Sequence, residues 1–162
     1  MLIVGDLMTT ELFTLKRTDS LRTARSMMTL ARIRHIPVVD DHNVFLGLVT
    51  HRDILAATIS QFAEVDKSVQ EEIDAGIPLN EIMRRDVTTV SSQTSLRVAA
   101  ELLLNHKYGC LPVVEDKTLR GIITESDFLK LTIRLMDTME RMQTKPLDES
   151  LFAASQPDEF PV

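Results

Sequence analysis

The chain contains an internal repeat, and that repeat constrains the fold more than any other property of the sequence. Met8, Thr14, Ser20-Leu21-Arg22, Ala24 and Pro37-Val38-Val39 recur at one constant offset as Met83, Thr89, Ser95-Leu96-Arg97, Ala99 and Pro112-Val113-Val114. Past the following turn the offset shortens by a single residue, and Gly47, Thr50 and Asp53 meet Gly121, Thr124 and Asp127. A gap confined to a turn is the mark of two diverged copies of one unit, because loops accept insertions and deletions that packed elements do not.

Each copy carries the same local signals. A short β-branched and apolar run, Phe13-Thr14-Leu15 or Val87-Thr88-Thr89-Val90, leads through a polar turn into apolar residues at helical spacing. These are Leu21, Ala24 and Met28 in copy one and Leu96, Ala99 and Leu103 in copy two, with Asp19 and Thr94 placed as N-caps. Strands are predicted over 36–39 and 45–49, and over 111–114 and 119–123, joined by the polar turns Asp40-Asp41-His42-Asn43 and Glu115-Asp116-Lys117-Thr118. Pro37 and Pro112 each remove a backbone donor, which predicts a sheet edge or a bulge there. Thr50-His51-Arg52-Asp53 and Thr124-Glu125-Ser126-Asp127 then open a second helix, the latter keeping helical spacing through Leu131, Leu135, Met139 and Met142. The expected organisation is repeat one over 1–58, an acidic linker over 59–78, repeat two with its C-terminal helix over 79–143, and a disordered tail over 144–162.

Bulk properties narrow the partners. With 162 residues and 44% hydrophobic composition the chain can bury a real core. Its 18 basic and 24 acidic residues give a net charge of -6, which argues against a nucleic-acid backbone or an anionic membrane as the main partner. The single cysteine, Cys110, excludes an intrachain disulfide and a cysteine-rich metal site, and fits the cytoplasm. It precedes an apolar strand and reads as a packing residue. No leader or membrane span is recognised, so the expected form is soluble and unprocessed.

The order strand, helix, strand, strand, helix, with an apolar-Pro-Val-Val strand and a Gly-apolar-apolar-Thr-x-x-Asp helix start, resembles the CBS domain. Two copies in tandem resemble a CBS pair, or Bateman module, across residues 1–58 and 76–137, of the stand-alone bacterial type similar to acetoin-utilisation regulators. The resemblance implies an α/β fold: two β-α-β-β-α repeats packed as a pseudo-twofold pair that leaves two clefts. It also implies an adenine nucleotide (AMP, ADP or ATP) as a regulatory ligand with no required cofactor, a homodimer, and an unknown downstream protein that receives the signal.

In such a pair the ribose meets the aspartate of Thr-x-x-Asp, and the phosphates meet basic residues near the proline strand. Carried onto this sequence, that designates Asp53 with Thr50, Asp127 with Thr124, and the basic residues Arg34, His35 and Arg52. A carboxylate can accept two hydrogen bonds from a cis-diol, with threonine beside it as donor or acceptor. Thr-x-x-Asp is also an ordinary helix-capping pair, and the two roles are compatible. Gly47 and Gly121 permit close approach, here expected of a ligand. Arg34 and Arg52 read equally as solvated surface residues, and His35 as a structural histidine.

The offset places Gly109 and Cys110 opposite Arg34 and His35, and Ser126 opposite Arg52. A nucleotide held by Asp127 is therefore expected to meet the basic set, and one held by Asp53 the neutral set. No catalytic residue and no metal ligand is assigned, and His42, His51 and His106 lack zinc spacing. A nucleotide-sensing regulatory module is the leading function, and a constitutive dimerisation scaffold with empty clefts is the alternative.

Overall fold

Each copy's apolar stripe needs a cover, and the chain supplies it by exchange. The computed structural model describes residues 1–58 and 66–143; the expected tail at 144–162 and the first part of the expected linker, 59–65, lie outside the described residues. In chain order the elements are a short 3-10 turn Val4–Asp6, α1 Leu21–Ala31, β1 His35–Val39, β2 Phe45–Thr50, α2 His51–Ala57, α3 Lys67–Gly76, α4 Leu79–Ile82, α5 Leu96–His106, β3 Cys110–Glu115, β4 Thr118–Thr124 and α6 Glu125–Gln143. Met1–Asp127 is one compact unit containing both copies, and the rest of α6 from Phe128 belongs to a second.

The fold is mixed α/β, with two small antiparallel sheets, β1-β2 and β3-β4. Leu15 joins β1 in parallel and Val90 joins β3 likewise, so each β-branched run ahead of a helix adds a single parallel bridge to its two-stranded sheet. Pro37 and Pro112 therefore do not sit at a free edge, since the carbonyl of Pro37 accepts from Leu15 N at 3.1 Å and that of Pro112 from Val90 N at 3.0 Å. The register shifts one residue later, between Val38 and Val39 and between Val113 and Val114.

The exchange follows from the segment that begins each copy. Leu79 and Met83, at the start of copy two, lie in the core of copy one with Leu21, Ala24, Ile36, Val49 and Ile54. Arg84 exchanges both main-chain bonds with Leu48 of β2, at 2.8 and 2.9 Å, and Thr9, at the start of copy one, does the same with Ile122 of β4, at 2.9 and 3.0 Å. Phe45 N donates to Lys117 O and Leu119 N to Asn43 O, tying the two hairpin turns together. Lys117 at φ 66° and Asn43 at φ 62° are left-handed there, which a polar turn residue accommodates.

Two local expectations are corrected. Ser20 and Ser95, not Asp19 and Thr94, cap α1 and α5, accepting from Thr23 N and Val98 N. Asp19 and Thr94 instead accept from Lys16 N and Ser91 N, closing the turn before each helix. The stretch read as linker contains α3, whose Asp74 is buried and receives Arg25 Nε of α1 at 2.7 Å and Gln70 Nε2 at 2.7 Å. The same guanidinium donates to Thr58 at the end of α2, so α3 is fastened to copy one.

Candidate functional site

The site begins at the two Thr-x-x-Asp corners, where a strand ends and a helix starts. At Asp53, Oδ2 accepts from the backbone N–H and the hydroxyl of Thr50, both at 2.8 Å, while Thr50 Oγ1 accepts from Asp53 N at 3.3 Å. This reciprocal capping box satisfies donors at a helix start that would otherwise be orphaned. Asp127 is buried, and its Oδ2 takes Thr124 N at 2.8 Å and Thr124 Oγ1 at 2.9 Å. Capping is thus realised in both copies.

Arg84 Nε donates to Asp53 Oδ1 at 2.8 Å. Arg84 reaches that place because its segment pairs with Leu48, one residue beyond Gly47 on β2. A Cβ on Gly47 would stand 2.5 Å from Arg84 O, and one on Gly121 would stand 2.9 Å from Thr9 O. The glycines do permit close approach, but the chain's own exchanged segments fill the space expected for a ligand.

A cavity of about 570 Å³ opens between the copies, within the range that holds a drug-sized molecule. Copy one contributes Arg34, His35, Thr50, His51 and Arg52; the start of copy two contributes Arg84, Asp86, Val87 and Thr88, and the rest of copy two Lys107, Tyr108, Gly109, Cys110 and Glu125. Four cations face two carboxylates around this space. Of the residues designated by sequence, Arg34, His35, Thr50 and Arg52 are brought together on this wall. Asp53, Thr124 and Asp127 are not part of the lining. Gly109 and Cys110 line the same cavity as Arg34, His35 and Arg52. They meet because a Cβ on Gly109 would lie 2.5 Å from His35 Nε2, so the absence of a side chain there is what lets the imidazole cross to copy two.

Burial, reinforced by Arg34 and partly offset by Asp53, holds the pKa of His35 below its ordinary 6.5. The imidazole is neutral at pH 7 and can donate from one nitrogen and accept at the other. Burial pushes the Cys110 thiol up to about 12, so it stays protonated and serves as a packing group beside Leu48 and Ile122. Tyr108 carries the aromatic surface of the wall, its ring stacked on His106 with centroids 5.1 Å apart and its hydroxyl 3.2 Å from Thr88 Oγ1. Arg84, Lys107, Tyr108, Asp86 and Glu125 were missed by motif reading. Arg84 left one trace in the sequence: its offset mate is Thr9, so the residue after the repeated methionine carries charge in one copy and none in the other.

Comparison with known proteins gives the context for this geometry. The CBS domain pattern matches residues 4–60 and again 79–134. A solved structure from Vibrio cholerae, described as an acetoin utilization protein (AcuB), is 41% identical with a TM-score of 0.72, covering 87% of this chain and 97% of that one. The structure of CBSX2 in complex with AMP is 29% identical with a TM-score of 0.70, covering 84% and 99%. A homoserine O-acetyltransferase from Methanocorpusculum labreanum is 35% identical over 130 residues, and this chain spans 24% of its length.

Proposed function

The chain belongs to the CBS-domain family as a tandem pair, and we propose that it is a non-catalytic regulatory module that binds an adenine nucleotide of the AMP, ADP and ATP class between its two copies. The observation that carries this reading is the cavity wall. Arg34, Arg52, Arg84 and Lys107 line one open cavity in a chain whose net charge is -6. Like charges are gathered at a cost unless an anion or a counter-charge offsets them; Asp86 and Glu125 on the wall, and Asp53 paired with Arg84 behind it, offset part of the four.

In this reading Arg34 and Arg52 meet the phosphates through charge-assisted hydrogen bonds, and neutral His35 hydrogen-bonds beside them. Asp127 with Thr124, or Asp53 with Thr50, accepts the ribose hydroxyls once the ligand draws them into the wall. The AMP complex of a relative supports the ligand class. Because both copies contribute to one wall, a bound nucleotide favours one arrangement of the pair over another, which is what a signal to a downstream partner requires. The compartment we propose is the cytoplasm, in keeping with a lone, protonated thiol.

Titration calorimetry with ATP, ADP and AMP tests the reading: saturable binding below millimolar concentration supports it. A second reading, a constitutive dimerisation scaffold with empty clefts, is favoured by α6, on which Leu129, Ile133, Leu135, Met136, Met139 and Met142 are exposed. Both readings expect a homodimer of the 18.3 kDa chain, so Leu135→Glu should lower the mass seen by light scattering toward the monomer. Absence of saturable nucleotide binding with the dimer intact selects the scaffold.

A further inference from the structure

We propose that the cavity binds its anionic ligand together with a proton, and that His35 is the group that takes the proton up, so that the module reads acidity along with nucleotide. The proposal rests on the nucleotide reading and adds a mode of regulation to the same site.

His35 opens β1, and its imidazole reaches across to copy two into room that Gly109 leaves: a Cβ there would stand 2.5 Å from Nε2 and 2.8 Å from Cε1. The residue is half-buried and lines the cavity. Among the described residues neither ring nitrogen has a hydrogen-bond partner, so a proton or a ligand oxygen meets nitrogens that no described neighbour engages.

The charges around the ring decide its state. Arg34 stands beside it in the chain, and α2 supplies His51 and Arg52 on the wall and Asp53 behind it. The start of copy two supplies Arg84 and Asp86, Lys107 follows α5 ahead of Tyr108 and Cys110, and Glu125 opens α6. Arg84 and Asp53 close on each other at 2.8 Å. Arg34, Arg52 and Lys107 then stand against Asp86 and Glu125, so the wall by itself carries an excess of positive charge. A proton on His35 adds to that excess, and burial of the ring penalises it further.

A phosphate reverses the balance. A phosphomonoester brings a charge of about -1.5 to -2 near neutral pH, more than the excess it meets. It also engages Arg34, whose charge is one of the two causes that hold the ring neutral. An opposite charge within about 4–6 Å favours the charged form by about 1–3 pKa units, and a half-buried ring has little further water to lose. Once protonated, the imidazole donates from both nitrogens and adds a charge-assisted bond to the phosphate. The device belongs to copy one alone, because the offset mate of His35 is Cys110, whose thiol stays protonated up to about 12. One proton is therefore taken up per chain.

The imidazole Cε1–H resonances of the unsubstituted chain, with that of His35 identified by its absence in His35→Gln, are followed from about pH 5 to about 8. The series is run on the chain alone, with saturating AMP, and with adenosine at the same concentration. Alone, His35 is expected to titrate below 6.5. AMP is expected to raise its midpoint by at least about one pH unit, and adenosine not to raise it. Calorimetry over the same range reads the linkage: the AMP affinity of the unsubstituted chain relative to His35→Gln is expected to rise about tenfold as pH falls through the AMP-bound midpoint to the free one. The phosphate of AMP, with a second pKa of about 6, titrates alike against both proteins and cancels in that ratio. A His35 midpoint that AMP leaves unchanged or lowers, or a ratio that does not vary with pH, overturns the proposal while AMP binding keeps the nucleotide reading; absence of AMP binding by the unsubstituted chain removes both.

Discussion

At copy one's Thr-x-x-Asp corner a guanidinium from the segment that begins copy two rests on the carboxylate; at copy two's corner the equivalent segment offers Thr9. The same contrast recurs elsewhere. Helix α1 is fastened to α3 through Arg25 and buried Asp74, whereas the offset mate of Arg25 in α5 is Ala100, and Arg97 pairs with exposed Glu101 on the helix surface. His35 faces Gly109 across the copies, and its own mate is the thiol Cys110. Residues that repeat build the frame: the serine caps, the Pro-Val-Val strands, the glycines under the exchanged segments. Residues that do not repeat set the charge, and the cavity wall is assembled mostly from them.

The largest difference between the copies should appear when each loses an arginine. Arg25→Ala removes the cation from the buried Asp74 carboxylate and leaves it the Gln70 amide, and should cost about 2–4 kcal/mol. Arg97→Ala breaks an exposed i,i+4 pair and should cost under about 0.5 kcal/mol. Urea denaturation measures both, and equal losses would break the contrast.

The glycines sharpen the comparison at the next level. Gly47→Ala drives a methyl against the Arg84 carbonyl at 2.5 Å, a main-chain atom that cannot turn aside, and should cost about 1–3 kcal/mol. Gly121→Ala meets the flexible Met8 sulfur at 2.8 Å and the Thr9 carbonyl at 2.9 Å, and should cost less. If Gly121→Ala proves the more damaging, the exchanged segments are not held as tightly as described.

The smallest effect concerns pH. His35 has a folded pKa below its ordinary 6.5, so the unfolded chain binds the extra proton first as pH falls. Stability should therefore be fully present above 6.5 and decline as pH drops from there toward the lower folded value, and His35→Gln should flatten that part of the profile of melting temperature against pH. Its mate Cys110, protonated up to about 12, should resist a thiol reagent at pH 8 until the protein unfolds. Rapid modification of the folded chain would contradict the burial of that strand.

The frame was legible in the sequence because its signals are local and doubled: Met8 with Met83, Gly47 with Gly121, Thr50 with Thr124. The N-caps were displaced by one residue because aspartate or threonine stands next to serine in both copies, and either type can cap; backbone geometry assigns one to the turn and one to the helix. Helix α3 was hidden because its acidic composition matches a solvated linker, and its fixing partner, Arg25, lies far away in sequence. The Arg84 contact was hidden for a related reason. It depends on each copy lending its entry segment to the other, and a linear reading assigns Arg84 to copy two, although its partners Leu48 and Asp53 belong to copy one.

The most direct test of the account is a calorimetric comparison of ATP with adenosine on the unsubstituted chain and on Arg34→Ala. Arg34 lines the cavity and acts in this account through phosphate alone. Its loss should weaken ATP by about tenfold, corresponding to one charge-assisted hydrogen bond, and leave adenosine nearly unchanged. Equal losses for the two ligands, or no saturable ATP binding by the unsubstituted chain up to millimolar concentration, would contradict the claim that this cavity is built to hold the phosphates of a nucleotide.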